Sequence, residues 1–266
     1  MAIRASIGQY YSANSPVHRL DPRVKLVGTI VFMVSCFFVH SAAALLLAGV
    51  TVGAAIALSR VPLRCLLSQL KPIALFLVIT SVINLFFVQT GDVALQAGFV
   101  TIHWDGVEAA VLYTVRFFLL LLAGSLLTLT TTPIALADAT QSLLAPLERM
   151  GVPVGQATLV LTIALRFVPT LSREAEHIVA AQTARGADLE NKGAIAYARA
   201  CVPLIVPLFA SALRHADNLG RAMDARCYTG GTRTHYHVMR LEARRDLPAV
   251  AALALYLTAL AAIALV

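Results

Sequence analysis

Two short stretches set a guanidinium between small residues: Ala184-Arg185-Gly186 within AQTARG (181–186), and Ala225-Arg226-Cys227 within AMDARCY (222–228). Arginine offers five donors in a planar fork that grips a carboxylate at two points. Slim neighbours let such a fork enter a groove on another protein. The two stretches are also related. Displaced by 41 residues, REAEHIVAAQTARG (173–186) lies over RHADNLGRAMDARC (214–227). Arg173 then matches Arg214, Ala175 matches Ala216, Glu176 matches Asp217, Ile178 matches Leu219 and Ala181 matches Ala222. A solenoid needs about three copies; a pair implies two similar partners, or one partner with two similar grooves. The plainer alternative is electrostatic, because a cation at a helix C-terminus complements the macrodipole by about 0.3–1 kcal/mol. Duplication of the whole 14-residue segment favours docking.

Other chemistry finds little support. There is no G-x-x-x-x-G-K-[ST] run to cradle a nucleotide and no H-E-x-x-H pair to hold zinc. Of seven histidines only His235 and His237 are close, in GGTRTHYHV, which reads as an exposed loop or strand rather than a metal site. Cys36, Cys65, Cys201 and Cys227 are far apart, which indicates neither zinc nor a disulfide framework. No paired catalytic groups lie inside apolar segments, so the chain is not expected to be an enzyme.

The elements that must carry the two arginines are set by composition. The 266 residues are 59% hydrophobic and 13% charged, with mean hydropathy +0.78. Soluble domains carry about 25% charged residues, so this is an integral membrane protein. The net charge of +7 follows from basic residues flanking apolar spans, and nucleic acid is not an expected partner. The N-terminus lacks an apolar core, so no cleavable leader is expected and the first span directs insertion.

Residues 26–58 contain neither formal charge nor proline. A single helix over them would measure about 50 Å against roughly 30 Å of hydrocarbon. Two short spans, 26–39 and 42–58, turning near His40-Ser41, fit better than one steep helix. Gly49, Gly53 and Ala57 form a small-residue stripe on the second, suited to internal packing or to a partner. Arg60, Arg64 and Lys71 read as a loop before a span at 72–88. FVTIHW (99–104) is β-prone and reads as one arm of a small hairpin. Further spans follow at 106–131 and 247–266. No Lys or Arg lies in 89–105, whereas thirteen of the 21 fall within 149–245. The positive-inside rule then puts the N-terminus and 132–246 in the cytoplasm and the C-terminus outside.

The expected architecture is thus an all-α membrane protein of about five transmembrane helices, with long cytoplasmic helices between the fourth and the last. Its parts are 1–131, 132–246 and 247–266. Within 132–246, Thr132-Pro133 starts a helix that Gly151-Val152-Pro153 ends. A second helix runs over 154–186, and a third region spans about 193–227. ATLVLTIALRFV and CVPLIVPLFASAL are apolar nearly all round yet short for spans, so they must bury against membrane, one another or a partner.

Three pieces together resemble the transmembrane T component of energy-coupling factor (ECF) transporters, prokaryotic importers of vitamins and metal ions. They are GQYYSANSPVHRLDPRVKL (8–26), AQTARG (181–186) and AMDARCY (222–228). The resemblance implies a multi-pass protein of the prokaryotic cell (inner) membrane. It implies two ABC-type ATPase subunits docked at Ala184-Arg185-Gly186 and Ala225-Arg226-Cys227, with Arg173, Glu176, Arg214 and Asp217 in support. It also implies a substrate-binding S component cradled on apolar helix faces. No cofactor would be bound directly, ATP being used by the ATPases. Cys227 stands where glycine is usual, and a β-carbon disfavours a left-handed cap, so the residues leave open whether the two helix ends share one geometry.

The alternative is a stand-alone secondary carrier, which predicts charged groups at the bilayer midplane. Arg116 is the one candidate, marking an ion path or making structural contacts; Glu108 lies eight residues earlier and is not an obvious partner. SPVHRLDPRVKL either anchors at the membrane interface or packs on the cytoplasmic helices.

Overall fold

Caps and prolines begin several of the helices in this computed structural model, which describes residues 10–39, 41–88, 90, 92–97, 100–148, 150–186, 194–230 and 242–265. The elements in chain order are α1 (Pro16–Arg19), α2 (Pro22–Phe37), α3 (Ala42–Ser59), α4 (Leu63–Phe87), β1 (Val93–Ala97), β2 (Val100–His103), α5 (Trp104–Thr130), α6 (Pro133–Glu148), α7 (Val154–Ala184), α8 (Ala194–Asp224) and α9 (Ala243–Leu265). Ser15, Asp21 and Ser41 cap α1, α2 and α3 with side-chain oxygens. The Thr132 hydroxyl accepts from the Ala135 amide at 3.3 Å, ahead of Pro133. Such caps satisfy amides that a helix start otherwise leaves orphaned.

Two compact units result: 9–140 with 238–266, and 1–8 with 141–237. In the first, α2 and α3 each lie against both α5 and α9, and α4 lies along α5. Its core combines Phe32, Cys36, Ala48, Leu66, Leu119, Leu122 and Tyr256. Ala48 and Leu66 are wholly buried, and a residue as small as Ala48 lets helix backbones approach. The outward faces stay apolar: Leu46 and Val50 on α3, and Leu75, Phe76, Val78 and Phe87 on α4, are exposed. Contiguous apolar surface of this kind is solvated by lipid tails rather than water.

Two helices, not one, occupy 26–58: α2 stops at Phe37 and α3 restarts after Ser41. His40 itself lies outside the described residues. α3 returns to the end where α1 lies. The strands β1 and β2 pair antiparallel with Ala97 opposite Val100, so the β-prone segment is one arm of a hairpin.

Two expectations need correction. The 60–71 segment is not a loop, since α4 begins at Leu63 and carries Arg64, Lys71 and an interior Pro72. Membrane helices tolerate an interior proline because neighbouring groups re-satisfy the freed carbonyl. Among the described residues, five helices are long and apolar enough to cross a membrane by length and composition, but they are not the expected five: 154–184 qualifies, and α2 is not one of them. At 16 residues α2 is about 24 Å long, short of the roughly 30 Å hydrocarbon layer. The helix expected over 154–186 is present as α7, which continues through Pro169 for 31 residues.

Arg116 is 9% exposed. Its guanidinium donates to the carbonyl of Val39, just past the C-terminal turn of α2, and lies 5.2 Å from the Tyr113 ring centroid. Glu108 is exposed. The cation therefore closes the end of a short helix whose last carbonyls have no intrahelical donor. Truncation by Arg116→Ala is expected to lower stability by about 1–3 kcal/mol, the cost of orphaning a buried acceptor. Thermal unfolding in detergent reads this, and Arg116→Lys should recover part of the loss.

Candidate functional site

The helix ends at the two Ala-Arg motifs are built alike. At the first, Ala184 closes α7 and Arg185 is the C-cap, its amide donating to Ala181 and Gln182 at 3.2 and 3.1 Å. Gly186 follows at φ +89°, and its amide donates to Thr183 at 2.9 Å. At the second, α8 ends at Asp224, and Ala225, Arg226 and Cys227 continue as a turn. The Cys227 amide donates to Asp224 at 2.9 Å and the Tyr228 amide to Met223 at 3.0 Å. This pair of bonds is a Schellman closure with Cys227 in the left-handed position, and its φ is +54°.

The two ends share a left-handed residue after the C-cap: Cys227 adopts that conformation despite its β-carbon. Orphan carbonyls of the last turn gain donors only if the chain turns this way, and that gain outweighs a steric cost of about 1 kcal/mol. Relieving the cost is testable. Cys227→Gly is expected to slow amide exchange at 226–228 by up to about fivefold, the equivalent of ~1 kcal/mol, with no change in membrane insertion.

Ala184, Arg185, Gly186, Ala225, Arg226 and Cys227 are all exposed. Neither tip guanidinium has a hydrogen bond or ion pair among the described residues. Both forks are open to a carboxylate partner. The supporting residues do not join them. Arg173, Glu176, Arg214 and Asp217 are exposed, and Arg173 bonds the Pro169 carbonyl on its own helix at 3.3 Å. No group of three or more His, Cys, Asp or Glu suited to a metal occurs among the described residues. His235 and His237 lie outside them.

What positions the tips is a contact that sequence reasoning missed. Along the packed faces of α7 and α8, the Ser211 hydroxyl donates to Glu174 Oε1. His215 Nε2 lies 3.5 Å from Glu174 Oε2, and the His215 ring lies 5.9 Å from that of Phe167. Glu174 and His215 occupy the same column of the repeat, and each precedes its tip arginine by eleven residues. The two helices therefore meet at equivalent positions, about 16 Å from either tip at 1.5 Å per residue. The available signal was the second column of the 41-residue repeat, an acid over a histidine.

Beyond the contact, the apolar faces continue outward. Val160, Leu161 and Val168 on α7, and Val202, Ile205, Val206, Phe209 and Leu213 on α8, are exposed. Long helices that carry apolar flanks and polar, arginine-tipped ends, joined to a lipid-facing bundle, define a membrane transporter component. Comparison with known proteins gives its family. Residues 13–236 match the family CbiQ, described as cobalt transport protein. The chain is 43% identical over 225 residues to the energy-coupling factor transporter transmembrane protein EcfT of Ruminiclostridium cellulolyticum, covering 85% of this chain and 84% of that one. It is 42% identical over 237 residues to EcfT of Thermosediminibacter oceani, covering 89% of each. It is also 44% identical over 253 residues to a Bifidobacterium longum protein named as an ABC transporter ATP-binding protein, covering 94% of this chain but 32% of that protein. The chain belongs to the CbiQ and EcfT family, the transmembrane T components of ECF transporters.

Proposed function

We propose that this chain is the transmission subunit of an ATP-driven importer. Two ABC-type ATPases dock on the tips of α7 and α8, with Arg185 and Arg226 each gripping acidic groups on one ATPase. A substrate-binding S component rests on the apolar faces of the same helices and delivers a vitamin or metal ion. The chain itself performs no catalysis, and ATP turns over only on the partners. The observation that carries this reading is the matched pair of exposed C-cap arginines, unpaired among the described residues and set in the same register at two repeat-related helix ends. A second support is the Bifidobacterium longum protein, in which sequence like this chain forms part of a polypeptide named for ATP binding.

The orientation follows from charge. Arg19, Arg23, Lys25, Arg60, Arg64, Arg244 and Arg245 belong to the end of the bundle where α2, α4 and α9 start, whereas Asp92, Asp105 and Glu108 belong to the hairpin end. The basic end is cytoplasmic by the positive-inside rule, in a prokaryotic cell membrane, with the coupling segment on that side and the C-terminus outside. A stand-alone carrier is less well supported, because Arg116 is occupied by Val39 and Tyr113. The test is retention of the ATPases when the chain is purified from membranes, with both tip arginines intact and with both reversed to glutamate.

A further inference from the structure

The chain leaves the membrane bundle after Thr130 and re-enters it at Glu242, and both crossings are bonded to one N-terminal segment. On the exit side, the Tyr11 amide donates to the Leu129 carbonyl at 3.0 Å. Lys25, 9% exposed, donates from Nζ to the carbonyls of Thr130 and His18, both at 3.0 Å. The Leu129 and Thr130 carbonyls belong to the last turn of α5, which has no intrahelical donor for them and favours a cation.

On the return side, Asp246 is 3% exposed. Its Oδ1 accepts from the Asp21 amide at 3.0 Å and its Oδ2 from the Glu242 amide at 3.0 Å. The Arg245 guanidinium bonds both oxygens at 3.1 Å. One carboxylate thus joins the start of α2 to the start of α9. Between the two contacts the segment is itself braced. The Asp21 side chain caps Arg23 at 2.9 Å, and Arg19 forks onto Asn14 Oδ1 at 3.1 and 2.7 Å. His18 sits between Ser15 at 2.7 Å and the Tyr11 carbonyl at 2.9 Å. Burial holds the His18 imidazole below its ordinary pKa, against the pull of the Tyr11 carbonyl. A carbonyl oxygen only accepts, so the Nε2–H donates to Tyr11.

We propose that residues 10–25 are a clamp that fixes the two connections of the coupling segment relative to each other, with Lys25 and Asp246 as positioning residues. A lipid-interface anchor would need no buried carboxylate spanning two helix starts, and no buried ammonium on another helix's last carbonyl. Burial of charge is costly unless every donor and acceptor is used, and here both charges are spent on the two crossings. The inference rests on the transmission reading. If ATPase motion reaches α5 and α9 through these crossings, a clamp makes the bundle move as one body instead of letting either connection yield.

Amide exchange of the full chain in nanodiscs tests the clamp without partners. Lys25→Met is expected to raise exchange about tenfold at 131–140 and also at 242–246, although Lys25 bonds only the first crossing. Asp246→Asn should do the same from the other side, because one amide oxygen cannot accept from two opposed backbone donors. Lys25→Arg should retain protection, and Lys25→Gln replaces Lys25→Met if the latter does not insert. Protection lost at only the nearer crossing overturns the clamp. In the assembled transporter, uptake per ATP hydrolysed should fall about fivefold in either variant while the ATPases remain bound. Unchanged uptake per ATP also overturns it. If the wild-type chain retains no ATPase, the docking reading fails, and the exchange result alone decides the clamp.

Discussion

Reversal of both tip charges, Arg185→Glu with Arg226→Glu, is expected to strip the ATPases from the purified chain while leaving it in the membrane. Each guanidinium is exposed at the C-cap of its helix and bonds no described residue, so reversal removes nothing that holds the fold. Truncating an interface arginine costs at least ~2 kcal/mol, about 30-fold in affinity. Reversal adds repulsion against the acidic partner groups. For the complex that holds both ATPases the two losses multiply to about a thousandfold, enough to empty a co-purification of the full assembly. A single reversal should leave one ATPase at reduced yield. Arg185→Lys should retain part of the binding, because an ammonium is a point charge that lacks the planar two-point fork. Full ATPase retention by the double variant would remove the docking claim. Loss of the chain from the membrane would mean that the tips serve folding instead.

The second large effect concerns the α4–α5 contact at the hairpin end. A β-carbon built on Gly106 would fall 2.9 Å from the Val88 carbonyl oxygen and 3.1 Å from that of Leu85. Both are backbone atoms at the end of α4 and cannot swing aside as a side chain would. Gly106→Leu is expected to destabilise the chain by about 3 kcal/mol, at the upper end of overpacking costs, read as a lower unfolding temperature and poor recovery of monodisperse protein. Gly53→Ala is the control. Nothing lies within 4 Å of its β-carbon position, so the isolated chain should be unaffected. A Gly106→Leu chain as stable as wild type would show that α4 and α5 do not meet as described.

The contrast between these two glycines shows where local reading stops. The Gly49-Gly53-Ala57 stripe has the spacing of a packing seam, yet a β-carbon added at Gly49 or Gly53 would meet nothing within 4 Å. Gly106 follows a β-prone arm with no such signal, yet it carries a backbone-to-backbone approach. Hydropathy runs and caps act over one or two turns, so they are legible. The break between α2 and α3, the Thr132 cap, the hairpin and both arginine-bearing helix ends were accessible for that reason. The start of α4 was missed because Arg64, Lys71 and Pro72 resemble a polar loop when their helical neighbours are ignored. Whether Cys227 permits a left-handed cap stayed open in the sequence, because side-chain preference alone does not count the hydrogen bonds that the left-handed turn secures.

The amino-acid sequence alone determined that this is a lipid-facing helical protein with a duplicated, arginine-ended helical segment, since composition and repeat spacing are properties of the chain itself. Only the tertiary structure decided which charges are spent on holding the parts together. Lys25 and Thr130 are 105 residues apart and Asp21 and Asp246 are 225 apart, and Glu174 meets its repeat counterpart His215 only once two helices cross. Such pairings depend on which helix ends arrive together. That is set by packing of the apolar core, and no periodicity along the chain records it.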